Sequence, residues 1–284
     1  MLLNNQVVAI TGAGRGIGKT IAETCKRSGA KVAICARSQR ELDLALKDLE
    51  KLNSIPALAM VCDVTNSNQT LNFFEKIQSQ LGTLTGLICA AGVYGSIGSF
   101  VETSFEDWQK ALDINLKGTA LSIHTAFRFF DRSKGGRIIL FSGGGQGPLV
   151  NFSAYATSKG GIWRLTETLG AELAPHHIFL NAIAPGAVNT KLLDELLTAG
   201  PEKVGKEFYE KSLAQKEQGG TSPAKSAELV LYLLSEKSKG LYGKTLSALW
   251  DPYQDFKELE KMSATDIYQV RRVVEPDGST RPRK

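Results

Sequence analysis

The sequence predicts an α/β protein: a doubly wound (Rossmann) parallel sheet of about seven strands with helices on both faces. Two observations lead to this prediction. Short apolar runs alternate along the chain with segments whose apolar residues recur at helical spacing. The runs are apolar at successive positions rather than at every second one, which is typical of strands covered on both faces.

The elements can be assigned in chain order from these patterns. The predicted strands cover residues 7–11, 31–36, 57–62, 84–90, 136–142, 178–184 and 244–249. Helical spacing between them predicts helices over residues 17–28, 38–52, 71–81, 104–132, 154–173 and 223–234. Ser38 and the Ser222-Pro223 pair suit helix N-termini, and Thr103 with Glu106 has the spacing of a capping box.

No linker or internal repeat interrupts residues 1–250, so we expect a single catalytic domain there. Residues 191–220 carry mixed charge and several glycines, and we expect this segment to cover a substrate pocket. Residues 251–284 form a C-terminal extension that we expect to pack across the pocket or a subunit interface. Its last residues are polar and predict disorder.

Composition narrows the function classes. The net charge of +5 is spread along the chain and forms no basic stripe, so we expect no nucleic-acid partner. No apolar run is long enough to cross a bilayer. The four cysteines lie in apolar runs without C-x-x-C spacing, as expected for buried, reduced thiols of a cytoplasmic protein. No Cys, His or carboxylate cluster has ligand spacing, so we expect no metal.

The first strand runs into a glycine-rich turn, T-G-A-G-R-G-I-G. A P-loop would need glycine at Ala13, and the G-x-G-x-x-G fingerprint would need glycine at Ile17. The pattern T-G-x-x-x-G-x-G is satisfied by Thr11, Gly12, Gly16 and Gly18. Glycines let a backbone approach a phosphate, which the following helix N-terminus can bind. We therefore predict a dinucleotide loop, the alternative being a plain strand–helix turn.

The end of the second strand indicates which dinucleotide binds. An NAD site would place an acidic residue here for the ribose 2′-hydroxyl, and residues 35–38 contain none. Arg37 stands there instead, and Arg15 projects from the glycine loop. We predict NADP(H) rather than NAD(H), with both arginines on the 2′-phosphate. The alternative is two solvated surface arginines.

A serine, a tyrosine and a lysine define a candidate reaction site. Tyr155 and Lys159 are four residues apart, so on a helix they share a face. Ser142 ends the preceding strand and could meet them. An ammonium beside a phenol would lower the phenol pKa and let it transfer a proton near neutral pH. Tyr253 and Lys257 repeat the spacing, but no strand-end serine precedes them.

Together these motifs resemble the short-chain dehydrogenase/reductase family, in its single-domain form, over about residues 5–250. The residues similar to the family's cofactor motifs are Thr11, Gly12, Gly16, Ile17, Gly18, Asp63, Val64, Ala90, Ala91, Gly92, Pro185, Gly186, Val188 and Thr190. Gly14 and Arg15 lie within the same glycine loop, and we expect them to bind the cofactor as well. Those that match its catalytic residues are Asn115, Ser142, Tyr155 and Lys159. Cys89 and Ala90 stand where the family has asparagines.

The resemblance implies hydride transfer between NADPH and a carbonyl carbon, with Tyr155 as general acid or base. Ser142 would bind the carbonyl oxygen, and Lys159 would also hold the nicotinamide ribose. Asn115 would position a water that connects Lys159 to solvent. The resemblance also implies a homodimer or homotetramer built on the long helices around residues 104–132 and 154–173.

The substrate stays open among a sugar or polyketide-like carbonyl, an acyl thioester, and a steroid or terpenoid ketone. A 3-oxoacyl-thioester reductase is slightly favoured because it is common in the family. A different class of function is a non-catalytic NADP(H)-binding regulator, which would be free to lose Tyr155 or Lys159. A third, an extended sugar epimerase, would need a T-G-x-x-G-x-x-G loop and a larger C-terminal domain.

Overall fold

A computed structural model describes residues 1–143 and 147–270. The strands are β1 (Val7–Thr11), β2 (Lys31–Ala36), β3 (Ala57–Val61), β4 (Gly86–Cys89), β5 (Gly136–Phe141), β6 (Ile178–Ala184) and β7 (Thr245–Ser247). They form one all-parallel sheet in the order β3-β2-β1-β4-β5-β6-β7. The predicted fold class is confirmed.

The strand order reverses between β1 and β4, where the chain first leaves one half of the sheet for the other. Thr11, at the carboxyl end of β1, lies opposite Cys35 of β2 and Cys89 of β4. In open α/β sheets the loops diverge at such a point and leave a crevice that binds ligands. The glycine-rich turn that follows Thr11 opens onto this crevice.

Helices cover both faces of the sheet. They are α1 (Gly16–Arg27), α2 (Gln39–Leu52), α3 (Ser67–Gln80), α4 (Phe105–Leu112), α5 (Gly118–Ala126), α6 (Ser153–Leu173), α7 (Lys191–Ala199), α8 (Pro201–Val204), α9 (Lys206–Gln218), α10 (Pro223–Leu234) and α11 (Leu259–Ser263). Strand β1 shows how the faces divide: Val8 and Ile10 join the core under α1, α2 and α10, whereas Val7 and Ala9 join the core under α3, α5 and α6.

Two of the three expected helix caps are confirmed. Ser38 accepts a hydrogen bond from the N–H of Glu41, and Ser222 accepts one from Ala224. The third was wrong by one residue, because Ser104 rather than Thr103 caps α4 and accepts from the N–H of Asp107. The Thr103 hydroxyl is turned back toward the carbonyl of Phe100.

The helical stretch predicted over residues 104–132 ends at Phe129 and is not uniform. Between α4 and α5 the backbone widens into a π-helical turn, Asp113–Lys117, which holds Asn115 in the interior. Such turns are frequently found at functional sites. Strands β3, β4, β5 and β7 are shorter than expected, and β7 ends where the N–H of Ser247 donates to Asp251.

The described part of the C-terminal extension packs beside the last strand. Tyr253 is buried with its ring centroid 5.2 Å from that of Tyr232 on α10. The N–H of Thr245 donates to the carbonyl of Tyr268 at 3.1 Å, and the Ser263 hydroxyl donates to the carbonyl of Gly240 at 2.8 Å. Residues 271–284, where we predicted disorder, lie outside the described residues. No helix in the described ranges is long and apolar enough to cross a membrane.

Candidate active site

A groove of about 370 Å³ occupies the crevice at the carboxyl ends of the strands. The predicted cofactor residues that line it are Gly12, Gly14, Arg15, Arg37, Asp63, Val64, Ala90, Ala91 and Gly92. It is therefore built from the loops that follow β1, β2, β3 and β4. Residues that belong to separate motifs in the sequence therefore line the same groove.

Two glycines of the first loop leave no room for a β-carbon. Gly12 has φ +67°, and a β-carbon there would lie 2.6 Å from the backbone of Ala91. A β-carbon on Gly18 would lie 2.6 Å from the carbonyl oxygen of Gly12. The loop therefore lies against both the start of α1 and the loop that follows β4. Arg15, the N-cap of α1, makes no side-chain cap hydrogen bond to that helix.

Thr11 joins the loops that flank the crevice. It is buried, and its hydroxyl accepts a hydrogen bond from the N–H of Ala91, while its carbonyl accepts from Ala90. These bonds hold the Cys89–Gly92 turn although it lacks the family's asparagines. The Ile17 side chain packs against the core, so only its backbone can serve a phosphate.

The segment that follows β6 returns to the glycine loop. Thr190 is the N-cap of α7, and its methyl carbon lies 3.7 Å from the position of a β-carbon on Gly16. The N–H of Val188 bonds the carbonyl of Gly186 in a tight turn. Pro185 lies beside Gly143, next to Ser142. The Pro185–Thr190 segment thus spans from the glycine loop to the end of β5.

The end of the groove near β2 carries both charges. Arg15 forms an ion pair with Glu41 of α2, with 2.5 Å between Nη1 and Oε1. Arg37 is exposed and makes no ion pair within the described residues. The Asp63 carboxylate accepts hydrogen bonds from the N–H and hydroxyl of Thr65. Of the two arginines, Arg37 is therefore the one that can bind an anion without first breaking an ion pair.

Lys159 lies next to Gly92, which lines the groove, and connects Tyr155 with the end of β5 that precedes Ser142. Lys159 is buried, and its Nζ donates a hydrogen bond of 2.8 Å to the carbonyl of Phe141, the last residue of β5. Its Nζ lies 5.5 Å from the centroid of the Tyr155 ring. Ser142 follows Phe141, and its buried hydroxyl is without a hydrogen-bond partner among the described residues.

The expected lowering of the Tyr155 pKa was wrong for this arrangement. Burial raises the pKa of Tyr155, and the neighbouring phenol of Tyr94, whose ring packs edge-on at 4.9 Å, raises it further. The Lys159 ammonium donates its hydrogen bond to the Phe141 carbonyl. Burial also lowers the pKa of Lys159, to about 8. Tyr155 is therefore neutral near pH 7, which suits a proton donor.

Asn115 lies behind this site and joins three segments. Its Oδ1 accepts from the N–H of Val93, and its Nδ2 donates to the Val93 carbonyl and to the Ser158 hydroxyl, each at 2.9 Å. Ser158 in turn donates to the carbonyl of Tyr155. A β-carbon on Gly92 would lie 3.4 Å from Oδ1 of Asn115 and 3.9 Å from Nζ of Lys159.

The second Tyr-x-x-x-Lys pair builds no such site. Tyr253 belongs to a single 3-10 turn, Tyr253–Asp255, so Lys257 is not on the same helical face. The Tyr253 ring packs in the core beside Tyr232.

The sequence model of the short chain dehydrogenase family matches residues 6–199, more than half of the chain. This chain belongs to the short-chain dehydrogenase family. A short-chain dehydrogenase/reductase of Armillaria gallica is 33% identical over 248 residues, which cover 85% of this chain and 94% of that protein. Dehydrogenase/reductase SDR family member 2, mitochondrial, of Homo sapiens is 32% identical over 215 residues, 76% of each protein.

Solved structures of the short-chain dehydrogenase fold superimpose closely on this chain. A crystal structure of NAD+-bound xylitol dehydrogenase has a TM-score of 0.79 at 26% identity and covers 87% of this chain and 98% of its own. Together with the family-model match and the relatives of 32–33% identity, this similarity shows that the protein is an oxidoreductase of this family.

Within this short-chain dehydrogenase, several residues of the groove and site were not among the predicted site residues, and three of them bear on the chemistry. Glu41 and Lys191 line the groove, and Tyr94 covers Tyr155. Ser38 and Glu41 have capping-box spacing, which could have placed Glu41 at the start of α2 but not against Arg15. Nothing in the sequence indicates the contact of Tyr94.

Proposed function

We propose that the protein is an NADP(H)-dependent oxidoreductase that interconverts a carbonyl compound and a secondary alcohol by hydride transfer. The observation that carries the proposal is the buried Ser142 hydroxyl, which lacks a partner among the described residues and follows Phe141, whose carbonyl accepts a hydrogen bond from Lys159. A buried hydroxyl without a partner is costly, and a substrate oxygen would satisfy it.

The residues present fit a dinucleotide. Gly12 and Gly14 line the groove and present no side chain to it, and the α1 N-terminus suits a pyrophosphate. Asp63 and Val64 would contact the adenine, and the Pro185–Thr190 segment would border the nicotinamide end. The bound cofactor would supply or accept the hydride.

The preference for NADP(H) over NAD(H) rests on Arg37 and Arg15 at the end of the groove near β2. A 2′-phosphate there would gain charge-assisted hydrogen bonds, each worth about 1.5–3 kcal/mol. The related xylitol dehydrogenase was solved with NAD+, so membership of the family leaves this choice open. An Arg37→Asp variant should therefore raise the KM for NADPH, and an unchanged KM would contradict the assignment.

In the reductive direction Tyr155 donates its proton to the carbonyl oxygen while Ser142 donates a hydrogen bond to the same oxygen. Burial keeps Tyr155 protonated until that step. Lys159 holds the nicotinamide ribose and places a positive charge near the phenolate that forms. Asn115 acts as a positioning residue that fixes α6 to the loop after β4, and it would order the water that links Lys159 to solvent.

The surroundings of Tyr155 support a substrate with an apolar body. Phe152, Leu196 and Val204 form a buried cluster, and Tyr94 and Tyr155 pack against it. Helices α7 and α8 supply two of these residues, which supports the proposal that residues 191–220 cover the substrate. An acyl chain or a terpenoid-like ring would fit such surroundings better than a sugar, and a 3-oxoacyl thioester keeps its slight preference.

We also propose an oligomeric state and a cellular location for the protein. We propose a homodimer or homotetramer built on the helices around residues 104–132 and 154–173. The four free, buried thiols suit the reducing cytoplasm.

A panel of carbonyl compounds with NADPH, followed by absorbance, tests the function. Tyr155→Phe should lower turnover by at least about 10²-fold while NADPH binding, measured by calorimetry, persists. Tyr253→Phe changes the same group in the duplicate motif and should keep full turnover. Full activity in Tyr155→Phe would contradict the mechanism, and binding without turnover of any carbonyl would favour the regulator.

A further inference from the structure

Glu41 brings a negative charge to the part of the groove proposed to hold the 2′-phosphate. It is the third residue of α2, where its backbone N–H donates to the Ser38 hydroxyl. A β-carbon on Gly14 would lie 3.1 Å from the Glu41 β-carbon, so the helix start packs closely on the glycine loop. Both Glu41 and the two arginines line the groove.

The Glu41 carboxylate is already paired with one of those arginines. Its Oε1 lies 2.5 Å from Nη1 of Arg15, and the two side chains are 32% and 46% exposed. At this exposure both groups remain hydrated enough to exchange partners. A 2′-phosphate would add about −1.5 to −2 charges at neutral pH beside this carboxylate.

We propose that Glu41 is a specificity-determining residue that competes with a 2′-phosphate for Arg15. The inference rests on the proposed binding of a dinucleotide in this groove. With a 2′-phosphorylated ribose, Arg15 leaves Glu41 for the phosphate, and the two anions repel each other. With an unphosphorylated ribose, Arg15 stays on Glu41, whose second oxygen can accept a hydrogen bond from the 2′-hydroxyl.

Glu41 therefore reduces the preference for NADP(H) over NAD(H) that Arg15 and Arg37 create. Arg37 is exposed and unpaired within the described residues, so it meets the phosphate without first giving up a partner. Arg15 must exchange one anion for another. The chain therefore binds NAD(H) better, relative to NADP(H), than two free arginines would allow.

Calorimetric titration with 2′,5′-ADP and with 5′-AMP tests this directly, because the two probes differ in the 2′-phosphate. Glu41→Gln should tighten 2′,5′-ADP and weaken 5′-AMP, so that the ratio of their dissociation constants changes by about fivefold or more. Asp43→Asn is the matched control. Asp43 is an exposed acid on the same helix that bonds Gln39, and its loss should change the ratio by less than about twofold.

An Arg15→Met background shows whether Arg15 carries the effect. In the Arg15→Met protein, Glu41→Gln should change the ratio of the two dissociation constants by less than half as much as it does in the wild type, since the competition for Arg15 is gone. An unchanged ratio in Glu41→Gln, or equal shifts in Glu41→Gln and Asp43→Asn, would overturn the inference. A wild-type chain that binds 5′-AMP more tightly than 2′,5′-ADP would instead contradict the proposed NADP(H) preference, while a ratio shift in Glu41→Gln would still support the role of Glu41.

Discussion

The ammonium of Lys159 donates a hydrogen bond of 2.8 Å to the carbonyl oxygen of Phe141, the residue immediately before Ser142. This bond ties helix α6 to the carboxyl end of β5. Since Tyr155 lies one turn earlier on α6, the bond also fixes the phenol relative to the serine hydroxyl. Lys159 therefore holds Tyr155 and Ser142 in fixed relative positions.

Replacement of Ser142 by alanine should lower activity without lowering stability. The Ser142 hydroxyl is buried without a partner among the described residues, so its removal should leave the free energy of unfolding unchanged or raise it by up to about 1 kcal/mol. The same change should lower kcat by about 10²-fold or more, because it removes a donor to the substrate oxygen. Urea denaturation and steady-state kinetics measure the two effects.

The control for Ser142→Ala is Ser122→Ala, which removes another buried hydroxyl, one that bonds the Gly118 carbonyl on α5. It should leave kcat unchanged. A Ser142→Ala variant with normal kcat would remove Ser142 from the reaction.

The lowered pKa of Lys159 predicts an alkaline limit to activity. Burial disfavours the ammonium and lowers its pKa to about 8, so the charged form is lost as the pH rises through that value. The value of kcat/KM for NADPH, which reports the free enzyme, should fall about tenfold per pH unit above that pKa. In Lys159→Arg the guanidinium stays charged, so this decline should be absent between about pH 8 and 10 even if the overall rate is lower. The same alkaline decline in both variants would assign the limit to another group.

The sequence predicted the sheet well because apolar runs report burial on both faces. The prediction that Ser142, Tyr155 and Lys159 act together came from a strand end and a helix face, and their roles in the reaction stay a prediction. The sequence did not predict that the pKa of Tyr155 is raised, which follows from burial and from the neighbouring Tyr94 phenol. Glu41 was missed for a similar reason, because its pairing with Arg15 joins residues 26 positions apart.

Asn115 should be required for stability as well as for activity. Its amide satisfies both backbone groups of Val93, and substitution by alanine would leave the part-buried N–H and carbonyl of Val93 unpaired. We expect Asn115→Ala to lower the free energy of unfolding by about 2–4 kcal/mol. Asn189, whose side-chain amide makes only exposed hydrogen bonds in these contacts, provides the control. Asn189→Ala should lower the free energy of unfolding by less than about 1 kcal/mol. A stable Asn115→Ala variant with low activity would instead indicate a role in catalysis alone.

The C-terminal extension should stabilise the last strand without contributing to dinucleotide binding. Its described contacts include those to α10, to the Thr245 N–H, to the Gly240 carbonyl and to Glu167 of α6. Its place across the pocket or at a subunit interface stays a prediction. Tyr253→Ala empties a buried site and should cost about 3 kcal/mol, which lowers Tm by about 6–12 °C in a chain of this size. The neighbouring Trp250 is 83% exposed, so Trp250→Ala should change stability by less than about 0.5 kcal/mol. Thermal denaturation and calorimetry with 2′,5′-ADP on both variants give the comparison. A Tyr253→Ala protein that keeps its Tm but binds 2′,5′-ADP weakly would show that the extension serves the groove rather than the sheet.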